Sequence, residues 1–95
     1  MSNLENKTQE EFSNLARTLR EEAGIKRTTL GKQMGYGRSY GSYIRRVEEG
    51  RVNPSADMVL SYVKFFKIPS ERVFNALSNQ FLKSYRQRLD REGVE

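Results

Sequence analysis

Between Lys26 and Asn53 the chain carries Lys26, Arg27, Lys32, Arg38, Arg45, Arg46 and Arg51 against only Glu48 and Glu49. The flanks are nearly balanced, with a net −2 over residues 1–25 and +2 over residues 54–95, so the overall charge of +5 is concentrated here. Hydroxyls are interleaved with the bases, at Tyr36, Ser39, Tyr40, Ser42 and Tyr43. Ammonium and guanidinium groups draw phosphates, hydroxyls bond to them, and the planar arginine fork matches the O6 and N7 acceptors of guanine. That chemistry is nucleic-acid recognition, although charge alone would equally fit a solvated basic face.

Other chemistry finds little support. With no histidine and no cysteine, the chain lacks the usual metal ligands, the usual general base and any disulfide. A tyrosine nucleophile near Arg38 would need a basic catalytic cluster and far more chain. The sequence reads as a non-enzyme without metal or cofactor. No run of about 18 apolar residues could span a membrane, and the N-terminus has no targeting character, so a cytoplasmic location is expected. Ninety-five residues fit one small domain. A hydrophobic content of 36% is low enough that part of the chain should fray or be covered by a partner.

Five helices are expected to position these groups. Residues 1–7 read as a disordered tail, 8–78 as the folded domain, and 79–95 as a helical extension with a frayed end. Thr8 and Glu11 form a capping-box pattern for a first helix over about 9–22, with Phe12, Leu15, Ala16, Leu19 and Ala23 on its buried face. Gly24 supplies its left-handed end. A second helix covers about 27–34, with Leu30 and Met34 inward and Gly31 leaving room for another helix. After Gly35 comes a glycine-punctuated turn, then a third helix with Ile44 and Val47 inward, closed by Gly50. Ser55 caps a fourth helix over about 56–66 whose core is Val59, Leu60, Tyr62, Val63 and Phe66. Ile68-Pro69 breaks it, and Ser70 caps a last helix over about 71–91 bearing the stripe Phe74, Leu77, Phe81, Tyr85. Two short helices joined by a glycine turn form a helix-turn-helix, whose second helix fits the DNA major groove.

From about Leu15 to Phe74 the chain resembles the lambda-repressor/Cro (XRE-like) class of helix-turn-helix proteins. The matching positions are Leu19-Arg20, Gly24-Ile25, Leu30-Gly31, Gly35, Ile44, Val47-Glu48, Gly50 and Pro54, together with the Ile68-Pro69 boundary. The resemblance implies a repressor-like five-helix domain from a prokaryotic or phage source. It implies that Arg20 pairs with Glu48, and that Ser42, Tyr43 and Arg46 face base edges. Arg27 stands where the family commonly has a phosphate-contacting glutamine. One departure lies between Gly35 and Glu48, where the chain is roughly three residues longer, close to one helical turn. Either the recognition helix extends to a Ser39 cap, or it begins near Gly41 and Gly37–Tyr40 form a longer loop. Serine caps better than tyrosine, which favours the extended helix.

The expected function is that of a sequence-specific regulator of transcription, a repressor, binding a pseudo-palindromic operator in double-stranded DNA as a homodimer. Arg46 is the best candidate for reading guanine. Lys26, Arg27, Arg38, Ser39, Tyr40, Arg45, Arg51 and Asn53 would hold the DNA backbone. Of the tyrosines, Tyr36 should point inward and Tyr43 outward. Phe81, Leu82 and Tyr85 lie beyond the usual family core and are the candidate dimer interface. The alternative is an antitoxin that binds DNA and neutralises a toxin partner through the last helix. RNA binding fits the charge, but no aromatic sheet or GXXG loop accompanies it.

Overall fold

The structure, a computed structural model, describes residues 10–37 and 40–93. Among these residues there are five helices and no strand: α1 (Phe12–Glu22), α2 (Arg27–Gln33), α3 (Tyr40–Glu48), α4 (Ala56–Phe66) and α5 (Ser70–Arg91). The fold is all-α, with α2 and α3 forming the helix-turn-helix. Thr8, Arg38, Ser39 and the tail 1–7 lie outside the described residues.

The helix ends show where local sequence decides and where it does not. Gly35 adopts φ +90 after α2, and the turn closes by Gly35 N–H to the Lys32 carbonyl at 3.0 Å and Tyr36 N–H to the Gly31 carbonyl at 2.9 Å. A left-handed residue at this point satisfies the last carbonyls of a helix, and only glycine adopts it without strain. The same pattern ends α1 at Gly24 and α3 at Gly50. At the start of α4, the Ser55 hydroxyl accepts the Met58 N–H at 3.1 Å.

Two expected caps are corrected. Helix α1 begins at Phe12 rather than near residue 9, with Glu11 in the cap position and no side-chain cap bond. Instead Gln80 of α5 reaches across the fold, and its Oε1 accepts the Ser13 N–H at 2.8 Å. Nearby, Asn79 Nδ2 donates to the Glu10 carbonyl at 2.8 Å. A buried first-turn N–H of α1 is thereby satisfied from 67 residues away. The carboxylates of Glu10 and Glu11 pair with Arg72 and Lys83 of the same helix. Ser70 is the first residue of α5 rather than its cap; Pro69 holds the cap position without a side-chain bond.

The core consists of Phe12, Leu15, Ala16, Leu30, Ile44, Val47, Met58, Tyr62, Val73 and Ala76. Leu60, expected inside, is 51% exposed, and Met58 fills the inner position of α4. On α5 the bond from Gln80 to α1 turns Val73, Ala76 and Gln80 inward. That rotation leaves Phe74 65% exposed, while Leu77 is half-buried. Among the described residues no helix is long and apolar enough to cross a membrane.

Candidate nucleic-acid interface

Helix α3 separates cleanly by face. Gly41, Ile44, Val47 and Glu48 are buried, whereas Ser42, Arg45 and Arg46 are exposed. Its start at Tyr40 puts Gly41 inside the helix rather than in a loop. Gly41 is not an idle weakness there: a Cβ at this position would lie 3.0 Å from Thr28 Cγ2 and 3.5 Å from the Thr28 backbone. From α2, a Cβ on Gly31 would lie 3.2 Å from Tyr40 Cβ. The two helices therefore meet nearly backbone to backbone, which fixes the angle at which α3 stands out.

The far end of α3 is fixed by charge. Glu48, with its side chain 1% exposed, accepts Arg20 Nε at 2.6 Å on one oxygen and Arg20 Nη2 at 3.0 Å on the other. Arg20 Nη1 donates to the Ile25 carbonyl at 3.0 Å, so one guanidinium ties α1, the following turn and α3 together. Hydrogen bonding to Glu48 raises Arg20 above the ordinary arginine pKa, against the opposing effect of burial. Arg27 was missed as a second partner: its Nε donates to Glu48 Oε1 at 3.0 Å while the side chain stays 35% exposed. A spacing of 21 residues carries no sequence signal for such a contact. The hydroxyl of Tyr62 is buried without a hydrogen-bond partner among the described residues, and burial raises its pKa.

The tyrosines form a bracket. Tyr36 stacks on Tyr40 at 3.8 Å between centroids, and Tyr40 leans on Tyr43 at 5.2 Å. The Tyr36 hydroxyl bonds Ser61 of α4 at 3.0 Å, and the Tyr43 hydroxyl accepts the Ser55 N–H at 3.1 Å. The expected division into an inward Tyr36 and an outward Tyr43 is corrected, because all three are half-buried. Their rings join the turn and α3 to α4. Burial, followed by the neighbouring Tyr36, pushes the Tyr40 hydroxyl up to about 12. Arg46 rests its guanidinium carbon 5.9 Å from the Tyr43 ring centroid, within cation–π range.

Arg20, Lys26, Arg27, Thr28, Gly41, Ser42 and Arg45 line one open cleft of about 420 Å³ where α2 meets α3. Arg45 and Arg51 flank Glu49 at 3.5 and 3.2 Å; it is Arg45, four residues before Glu49, and not Arg46 that faces it. Lys26, Arg51 and Asn53 are exposed on the flanks. Phe81, Leu82 and Tyr85 are exposed on α5, away from this cluster in sequence. The arrangement presents a narrow helix face carrying Ser42 and Arg46, bordered by exposed cations.

The model of a family described as a helix-turn-helix domain matches residues 11–76, from just before α1 into α5. Neither a curated protein nor a solved structure matches the chain.

Proposed function

The chain belongs to the helix-turn-helix domain family, and on that premise we propose that it is a sequence-specific DNA-binding regulator that seats α3 in the major groove. The observation carrying this reading is the division of α3, whose inner face is locked by Glu48, Gly41 and Ile44 while Ser42, Arg45 and Arg46 stand exposed. Arg46 reads a guanine through its fork, with the Tyr43 ring limiting its rotamers. Ser42 adds a bond to a neighbouring base edge. Lys26, Arg27, Arg45, Arg51 and Asn53 hold phosphates on either side, with Tyr40 beside them at the start of α3.

One helix reads too few base pairs to find a site unaided, so the chain acts as a two-fold dimer on a pseudo-palindrome, with half-site centres about 34 Å apart. Occupying such an operator obstructs transcription, which makes the regulator a repressor acting in the cytoplasm. Selection of bound sites from a random duplex pool, at near-physiological salt, tests this. An inverted repeat spaced by one helical turn is expected. Failure to enrich any motif would leave only charge-driven contact. The exposed apolar face of α5 favours a second reading, an antitoxin whose last helix covers a toxin. A stoichiometric protein partner purifying with the chain would identify it.

A further inference from the structure

Arg27 and Thr28, consecutive at the start of α2, touch α3 near its two ends. A Cβ on Gly41 would lie 3.0 Å from Thr28 Cγ2, and Arg27 Nε donates to Glu48 Oε1 at 3.0 Å. Gly41 and Glu48 are the second and last residues of α3, about 10 Å apart along the axis. The start of α2 therefore braces most of the length of the reading helix. The two guanidiniums on Glu48 are committed to different degrees. Arg20 uses Nε and Nη2 on Glu48 and Nη1 on the Ile25 carbonyl. Arg27 makes one bond, through Nε, and its side chain is 35% exposed. Among the described residues its Nη groups have no partner, and the side chain lines the open cleft between α2 and α3. Lys26, Arg45 and the hydroxyls of Thr28 and Ser42 share that lining, with no carboxylate among the described residues there.

We infer that Arg27 is a positioning residue for base reading: its Nε stays on Glu48 while its Nη groups hold a DNA backbone phosphate in the cleft. The inference rests on the DNA reading above and names what aligns α3 within it. A guanidinium can serve both partners because its N–H donors are fixed in one plane and point in different directions. The phosphate is thereby joined through one rigid group to Glu48, on the helix that carries Arg46. Exposed cations without such a tie, Lys26 among them, attract the backbone of any sequence and add affinity alone. A phosphate held by Arg27 also fixes where Arg46 meets the base edge. Loss of that link lowers specificity even with Arg46 intact.

The test compares R27K with K26Q on the full chain, measuring affinity for a selected operator and for a scrambled duplex at one salt concentration. Lysine keeps the charge, but its compact ammonium cannot hold Glu48 and a phosphate in one fixed geometry. Arg20 still bonds both oxygens of Glu48 in the variant, so the domain stays folded, which circular dichroism checks. R27K is expected to bind the scrambled duplex as the parent does and to lose about tenfold in preference for the operator. R27Q should lose the same preference together with affinity for both duplexes. K26Q should weaken both duplexes by one factor and keep the preference. Replacing operator phosphates one at a time by neutral methylphosphonates separates a phosphate-linked role from a purely internal one. At one position the parent is expected to lose the same preference, and R27K nothing further. Undiminished preference in R27K, an equal loss of preference in K26Q, or the absence of such a phosphate would overturn the inference and leave the DNA reading standing. A parent with no preference for the operator would overturn that reading, and the inference with it.

Discussion

Glu48 is the last residue of α3 and Glu49 the next in the chain, and each lies between two arginines, yet the two clusters do different work. Glu48 is 1% exposed and holds Arg20 and Arg27 at 2.6 and 3.0 Å; Glu49 is 37% exposed and stands 3.5 and 3.2 Å from Arg45 and Arg51. Inside, water cannot replace the carboxylate, so the pairs fix how α1, α2 and α3 meet. Outside, water and salt screen the pairs, leaving Arg45 and Arg51 able to exchange Glu49 for a phosphate. One residue of offset at the end of a helix separates a structural joint from an adjustable surface charge.

The largest effect should come from breaking the inner cluster. Glu48→Ala leaves two guanidiniums without their buried acceptor and should destabilise the fold by about 3–5 kcal/mol, read by denaturant unfolding. That is a large part of a small domain's stability. Arg46→Ala, on the exposed face, should leave stability nearly unchanged while weakening operator binding by about 1–3 kcal/mol, with the loss confined to one base position per half-site. A uniform loss over all sequences would instead make Arg46 a backbone contact. Glu49→Gln should change stability by less than about 1 kcal/mol. Its binding to DNA should tighten and become more steeply salt-dependent, because Arg45 and Arg51 are released to phosphates. An unchanged salt slope would mean that those arginines never reach the backbone.

The smallest effect at neutral pH concerns the tyrosine bracket. Tyr40 titrates near 12, above the ordinary value of 10. Its folded-state pKa is raised, so its stabilising contribution is complete below pH 10 and declines as pH rises from 10 through about 12. Tyr62, also raised by burial, acts in the same direction. Thermal unfolding followed from pH 8 to 12 should show a flat region and then a fall, less steep in Tyr40→Phe.

The helices and turns were legible because their signals are local. Gly24, Gly35 and Gly50 end helices through bonds spanning only five residues, and Ser55 caps α4 three residues ahead. The joint at Glu48 was half legible: family resemblance pointed to Arg20, but nothing in the spacing marks Arg27. The α1 cap was not legible, because its acceptor is Gln80. The inward face of α5 was not legible for a related reason. Two helical stripes compete there, Val73-Ala76-Gln80 and Phe74-Leu77-Phe81-Tyr85, and the second is more apolar. Tertiary bonding to α1 selects the less apolar stripe for the interior. Gly41, named in sequence only as an alternative start of the helix, is the place where Thr28 approaches.

The most direct test of the account is the affinity of the parent chain for a selected operator against a scrambled duplex of equal length, at one fixed near-physiological salt concentration. A reading helix anchored by Glu48 and exposing Arg46 predicts a preference of about 10³-fold or more for the operator, reduced in Arg46→Ala at a single base position. Equal affinity for both duplexes, vanishing together as salt rises, would show that the basic face binds phosphate alone and that α3 reads no sequence.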